Sequence, residues 1–298
     1  MKSVLKEVER ILNREGFLSL KYPRGCFDIA ARRENLLLIK TLLNIDSFQD
    51  YQANNLKVLS HYLSASPLLI GERTRREWLK EGIVYERFGI PSVNIETFDG
   101  IMKGDYPRAI RFRGGLFGRV NPEKLREARL ERELSRRELA EAIGITKKSI
   151  YEHERGMFRI MFDVLESLES FLERKVSERI DPFSFEIEKP ETKPSDRLEK
   201  EVAMEMERLG FRTDFVSKAP LDIVAECESV LLSDVERNAK LLERNAPFLK
   251  LLSELAEAPA LLLSKKPSKR EVSGLILMDV EELRSFCSGK ELVKEIEG

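Results

Sequence analysis

A chain of 298 residues is too long for one ordinary hydrophobic core and long enough for two or three compact domains. With 42% hydrophobic and 35% charged residues it is neither a disordered nor a membrane-embedded chain, and its longest apolar runs, LLLI (36–39) and APALLL (258–263), fall far short of the roughly 20 residues needed to cross a bilayer. The net charge of −1 is unevenly spread: residues 1–118 carry 19 basic and 14 acidic side chains, residues 191–298 carry 17 and 22, so the N-terminal part is the better candidate for meeting phosphate.

The N-terminal stretch MKSVLKEVERILNREG carries acids every few residues, which a secretory signal's apolar centre would not contain, so a cytoplasmic protein is expected. Apolar residues at positions 4, 5, 8, 11 and 12 predict a helix that stops at Gly16. Short runs follow: FLSL, FDIA and LLLIKTLL, a polar helix near 50–63, the run PLLIG, and then IVYERF with VNIETFDGIM. Helices alternating with buried strands predict an α/β unit with a mixed sheet over residues 1–110. Trp78, the only tryptophan, is expected in its core. The basic runs RTRREWLK (73–80) and RAIRFR (108–113) offer a face for DNA, and KGDYPRAIRFRGGLFGRVNP (103–122), punctuated by GG and NP, reads as an arm into the next segment.

Residues 125–156, LREARLERELSRRELAEAIGITKKSIYEHERG, carry the strongest local signal. Leu125, Ala128 and Arg129 with Leu134 outline a first helix and its exit. Ser135 with Glu138 three residues on forms a capping box, which satisfies otherwise orphaned backbone donors. Leu139, Ala140 and Ile143 supply the inner face, Gly144 ends the helix, and Thr146 begins another whose Ile150 points inward. Two short helices separated by GIT form a helix-turn-helix. From Val120 to Lys175 the segment resembles the phage-repressor and Cro type of helix-turn-helix, also called XRE-like, through LSRRELAEAIGI, TKKSIYEHERG and the amphipathic MFRIMFDVLESLESFL. The resemblance implies a DNA-binding domain over 119–178 in which Lys147, Lys148 and Glu152 face base edges, Arg136 and Thr146 hold phosphate, and Ser149 belongs to the same DNA-facing set. It also places His153 inward, as packing.

DPFSFEIEKPETKPS (181–195) reads as a linker rich in Pro and charge. Beyond it the chain repeats its beginning at an offset of 194 residues. Gly16, Phe17, Asp28, Ile29, Ala31, Leu37 and Asn44 coincide with Gly210, Phe211, Asp222, Ile223, Ala225, Leu231 and Asn238. With a two-residue slip SPLLI (66–70) meets APALL (258–262), so 195–298 is expected to be a second, related α/β domain, with Gly289 to Gly298 as a frayed tail.

The run GCFDIAARRENLLLIK (25–40) resembles the core of the PD-(D/E)-x-K nuclease superfamily, the restriction-endonuclease-like fold. That chemistry needs two or more carboxylates on a divalent ion, with a lysine assisting. Asp28 and Lys40 stand where the first acid and the lysine belong, but Leu38 stands at the second acid. In the second copy Asp222 remains, while Leu232 replaces the acid and Asp234 the lysine. Glu34, in a turn, is a poor substitute for a strand-held ligand. Asp28, Lys40 and Asp222 are therefore read as remnants in two degenerate domains, and no catalytic residue is expected. The three cysteines, Cys26, Cys227 and Cys287, lie far apart, and with only His61 and His153 there is no zinc-ligand spacing, so no disulfide framework, metal or cofactor is expected.

The arrangement as a whole resembles an archaeal group of helix-turn-helix transcriptional regulators. It implies a sequence-specific regulator that binds double-stranded DNA as a homodimer, since one helix-turn-helix rarely supplies enough affinity. The flanking domains would dimerise, add phosphate contacts or sense a small-molecule effector. A metal-dependent DNA nuclease and a sequence-blind architectural DNA-binding protein are the competing readings.

Overall fold

Residues Leu36–Asn44 form a strand buried on both faces at its start: Leu37 and Ile39 join one hydrophobic core, Leu36 and Leu38 another. A strand reading as a continuous apolar run is the expected form where both faces are covered. In the computed structural model, which describes residues 4–23, 25–157, 159–236 and 238–297, this strand is β3 of the first unit. That unit runs α1 (Val4–Arg14), β1 (Leu18–Lys21), β2 (Ile29–Arg32), β3 (Leu36–Asn44), α2 (Asp50–Tyr62), β4 (Ser66–Arg73), β5 (Ile83–Arg87), β6 (Ile90–Val93) and α3 (Ile95–Met102). A hairpin follows, β7 (Ala109–Phe112) and β8 (Gly115–Gly118), and then α4 (Pro122–Glu131), α5 (Arg136–Ile143), α6 (Lys147–His153), β9 (Ile160–Met161) and α7 (Phe162–Leu172). The last unit comprises α8 (Arg197–Arg208), β10 (Arg212–Phe215), β11 (Ile223–Glu226), β12 (Val230–Val235), α9 (Ala239–Ala256), β13 (Ala260–Ser264), β14 (Glu271–Val272), β15 (Leu275–Asp279) and α10 (Gly289–Glu297).

The repeat is written in the topology. One sheet has the order β1-β2-β3-β4-β6-β5-β7-β8-β9 and the other β10-β11-β12-β13-β15-β14. The first six strands of the larger sheet follow the smaller one pair for pair, antiparallel, antiparallel, parallel, parallel and antiparallel. The repeated aspartates share their backbone bonds too. The Asp28 amide donates to the Ile39 carbonyl at 2.8 Å, and the Asp222 amide to that of Ser233 at 2.9 Å. One carboxylate oxygen of each accepts a backbone amide from the neighbouring strand, Thr41 at 2.8 Å and Val235 at 3.0 Å.

Each sheet packs one face on its own helices, with α1 and α3 over the first and α8 over the second. The opposite faces meet each other. Leu36 and Leu38 of the first copy and Leu232 of the second fall in one core, together with Leu56 and Leu59 of α2 and Leu242, Leu249 and Leu252 of α9. The helices cross over: α2 packs on β10 and β11, and α9 packs on β1 and β2. The helix expected near 50–63 is present and, for all its polar residues, is mostly buried between the copies, with Asn55 and Tyr62 supplying hydrogen bonds there. Asn55 exchanges bonds with Ser217 at 2.9–3.2 Å, Tyr62 donates to Asp214 at 2.7 Å, and the Cys26 amide donates to the Lys218 carbonyl at 2.7 Å. Gly25 permits this approach, since a Cβ there would stand 2.7 Å from the Lys218 carbonyl oxygen.

Several expectations are corrected. Gly289–Glu297 is a helix, not a frayed tail, because LVKEI puts Leu292 and Val293 into the second core and the Gly289 amide bonds the Leu209 carbonyl at 2.8 Å; Gly298 lies outside the described residues. Trp78 is 65% exposed, because the Thr74 hydroxyl accepts the amides of Arg76 and Glu77 and closes the loop on itself with the indole outward. Arg108 does not join the basic face of RAIRFR: its guanidinium bonds Glu169 and Ser177. Within MFRIMFDVLESLESFL the helix begins only at Phe162, since Ile160 and Met161 pair with β8, and Phe158 lies outside the described residues. The segment 181–195 is docked rather than loose, with Phe183 and Phe185 on the first core and Lys189 and Thr192 on Asp214. Burial alone would raise the Asp214 carboxyl, and the bonds from Lys189, Thr192 and Tyr62 overcome it and hold it below the usual range.

Restoring the second acid tests this core. Leu38→Asp places an uncompensated carboxylate between the copies and is expected to cost about 3–5 kcal/mol of stability, read as a large fall in melting temperature; an unchanged melt would show that this face is open to water.

Candidate functional site

Between the two copies, α4 to α7 close a separate small core of Leu125, Ala128, Leu139, Ala140, Ile150, Leu165, Leu168 and Leu172. Its local signals appear as read from the sequence. Ser135 and Glu138 form both bonds of a capping box, Gly144 ends α5 with φ 73° in the left-handed region, and the Thr146 hydroxyl accepts the Ser149 amide at the start of α6. Ala140 and Ile150 are buried where α5 and α6 pack, so the small side chain sets the approach of the second helix to the first.

The orientation of α6 divides its residues sharply. Ile150 and His153 are buried, whereas Lys147, Lys148 and Tyr151 are exposed and Ser149 and Glu152 are half-buried. Lys148 Nζ lies 3.7 Å from Glu152 Oε1, a one-turn pair on the outer face. Thr146 and Ser149 share a hydroxyl contact of 2.9 Å, so both are committed to the helix start. Arg136, expected on phosphate, directs Nε to Glu154 at 2.6 Å, and its guanidinium lies 5.5 Å from the Tyr151 ring centroid. Tyr151 and Arg155 were not singled out in the sequence. The spacing 147, 148, 151, 155 places them on the exposed stripe, and Arg155 Nη1 bonds the Tyr151 hydroxyl at 2.8 Å.

Glu154 fixes the geometry. Its side chain is 2% exposed and accepts from both Arg129 and Arg136 at 2.6 Å, while Arg129 also donates to the Leu134 carbonyl at 2.7 Å. The first helix, the turn before α5 and the exit of α6 are thereby tied at one point. Glu169 does the same on the other side: it accepts the amides of Val176 and Ser177 and meets Lys175 and Arg108. Burial would raise that carboxyl, but the Ser177 bonds, Lys175 and Arg108 hold it below the usual range. Since Arg108 precedes β7 and β9 pairs with β8, the helix-turn-helix is joined to the first sheet by charge and by backbone.

The nuclease-like positions are far less open. Asp28 and Lys40 are each 5% exposed, with Lys40 Nζ at 2.9 Å from both Asp28 Oδ1 and the Gly25 carbonyl. Asp28 Oδ2 accepts the Thr41 amide and hydroxyl. Leu38 is fully buried beside them. In the second copy, the Lys40 position is Asp234, buried close enough to Asp222 for the two carboxyls to act on each other. Burial pushes both carboxyls up, Asp222 to about 6 and Asp234 to about 9, the latter with the Asp222 charge as the next cause. The described residues contain no cluster of three or more His, Cys, Asp or Glu able to hold a metal ion. The three cysteines are free.

Two outcomes follow. Glu154→Gln removes the charge on which Arg129 and Arg136 converge and is expected to cost about 3–5 kcal/mol by chemical denaturation; an unchanged midpoint would show that the cluster does not hold the helices. For the acid pair, the folded chain keeps a proton that the unfolded chain releases above about pH 4, so its contribution to stability falls as pH rises toward 9. Asp234→Asn, which keeps a donor to Asp222 without the proton, is expected to gain on the wild type as pH rises from 5 to 9. Parallel melting profiles would show that no proton is shared.

Residues 1–107 match the family model of the PD-(D/E)XK superfamily domain, and 125–178 match the helix-turn-helix model. Over nearly its whole length the chain is similar to archaeal proteins that bear the name "Putative HTH-type transcriptional regulatory protein". The one from Pyrococcus furiosus is 37% identical over 97% of this chain and 96% of its own. That from Methanothermobacter thermautotrophicus is 35% identical over 98% and 95%. That from Methanocaldococcus jannaschii is 33% identical over 97% and 94%. No solved structure matches the chain. With a nuclease-like first unit, a second sheet of the same strand order, a helix-turn-helix in the chain between them and this similarity from end to end, the chain belongs to the archaeal family whose members carry that name.

Proposed function

We propose that the protein is a sequence-specific transcriptional regulator that sets α6 in the DNA major groove, and that it acts as a homodimer on paired half-sites. The observation that carries the reading is the division of α6: Ile150 and His153 anchor it, and Lys147, Lys148, Tyr151 and Glu152 remain outward with Arg155 just beyond its end. Lysine donates to guanine O6 or N7, and glutamate accepts from a cytosine amino group. Ser149, Thr146 and Arg136 frame that face, the first two at the helix start and the last through the Nη groups that Glu154 leaves available. A dimer follows from affinity: half-sites about 34–36 Å apart double the contacts of a short helix.

The nuclease reading is the weaker one. Asp28 and Lys40 are closed under the second copy, and the position of the second acid is a leucine in that same core. A metal-bound carboxylate pair with room for water and a phosphodiester has no place there.

Selection of bound sequences from random duplex DNA at physiological salt is expected to yield a two-fold symmetric motif. Lys147→Ala and Lys148→Ala are each expected to weaken binding by about 1–3 kcal/mol and to relax preference at one position of the half-site. Enrichment of no motif, with binding that falls steeply with salt for every sequence, would replace this reading with an architectural role. Cleavage by the wild-type protein with magnesium or manganese, lost in Asp28→Ala, would restore the nuclease.

A further inference from the structure

The helix-turn-helix does not end at its own surface. The chain leaving α6 reaches Arg159 six residues after His153, and the next two residues pair with β8. Six residues span at most about 20 Å, well under the roughly 34–36 Å of one DNA turn. Arg159 lies over the Phe112 ring, 3.9 Å from its centroid. There it borders a groove of about 770 Å³ whose walls include Arg87, Arg111, Arg113, Phe88 and Phe112. Arg111, Arg113 and Arg159 are all exposed. Neither Arg113 nor Arg159 has a carboxylate partner among the described residues, and Arg111 meets Glu77 only at 3.4 Å, with both side chains more than 40% exposed.

The face continues onto the loop 73–80. Asp46 joins the two parts, accepting the Arg75 amide at 2.8 Å and lying 3.3 Å from Arg87 Nε. Arg73, Arg75 and Arg76 are exposed there beside the outward Trp78. Glu77, Glu86 and Asp46 are acids of this surface, and Asp181 and Glu186 stand with Arg159 where it continues toward the segment after α7. Arginines in excess over acids, two of them with no carboxylate partner among the described residues and all set among exposed rings, match a polyanion better than a protein surface.

We infer that this arginine face on β5, β7 and the loop before β9 grips the phosphate backbone of duplex DNA flanking the base pairs read by α6. The inference rests on the helix-turn-helix reading and deepens it: the nuclease-like sheet supplies sequence-independent contacts that extend the footprint. Backbone contacts of this kind position without specifying. Because β9 belongs to the same sheet as β7 and β8, the two surfaces keep a fixed spacing.

The experiment compares two duplexes carrying the selected motif, one trimmed to it and one extended by about one helical turn, roughly 10 base pairs, on each side. Arg111→Gln, Arg113→Gln and Arg159→Gln combined in the full chain are expected to bind the long duplex about tenfold more weakly, with the salt slope reduced by roughly 0.9 for each phosphate no longer neutralised. The short duplex is expected to bind as before. Lysine at the same three positions keeps the charge and is expected to recover most of the affinity, which separates removal of charge from damage to the fold. Long-duplex affinity and slope unchanged in the glutamine variant would overturn the inference, while Lys147→Ala still weakening both duplexes would leave the helix-turn-helix reading in place. If Lys147→Ala and Lys148→Ala changed neither duplex and the glutamine variant weakened the long one, the arginine face would stand and the helix-turn-helix reading would fall.

Discussion

The burial of Leu38 and Leu232 in one shared core is the constraint on which the rest of the molecule depends. A sheet with helices on one face leaves the other apolar or in need of a cover, and here each copy covers its counterpart, α2 reaching across in one direction and α9 in the other. In a nuclease of this fold that second face must stay open to metal and phosphodiester. Once a leucine occupies the position of the second acid, the same face becomes a favourable surface to bury, at roughly 25 cal/mol per Å² of apolar area removed from water.

With that face closed, the helix-turn-helix stands outside the shared core, around its own small one. Its attachment is the opposite of a tether. Arg108 reaches Glu169, Val120 bridges Ser177, and β8 pairs with β9, so the small helical core is welded onto the edge of the larger sheet. A domain fixed this way loses little orientational freedom when it docks on any partner, because its position on the neighbouring sheet edge is already set.

Much of this was legible in the sequence, for identifiable reasons. The capping box at Ser135, the left-handed Gly144 and the cap at Thr146 are local devices whose geometry follows from a few adjacent residues. The repeat was legible because Asp28 and Asp222 do the same local work, each accepting a backbone amide from the next strand. What escaped depended on partners distant in sequence. Nothing within 50–63 says that Asn55 meets Ser217 or that Tyr62 meets Asp214, so a polar helix is legible there but not its cover. Arg108 looks like one more arginine of a basic run until Glu169, folded against it, claims its guanidinium. Trp78 fails in the other direction: a tryptophan is core by default, and only a loop closed by the Thr74 hydroxyl turns it out. Asp28 and Asp222 stand just before β2 and β11, and Lys40 lies within β3, but that Leu38 and Leu232, at the positions of the second acids, share one core is a tertiary fact.

The seam also shows two solutions to one electrostatic problem. A strand-end aspartate whose carboxylate caps a backbone amide cannot easily be discarded, since the amide would be left orphaned in a dry interior. The first copy compensates its charge with a cation, Lys40, itself anchored by the Gly25 carbonyl. The second has an acid at the equivalent strand position, and burial of two carboxyls side by side is tolerable only when a proton stays between them. Had both copies kept a lysine, two cations as well as two aspartates would be buried at the joint, each needing its own hydrogen-bond acceptor among apolar side chains. The second copy meets the same constraint with no cation at that strand position, and its two buried carboxyls are both pushed up by their burial.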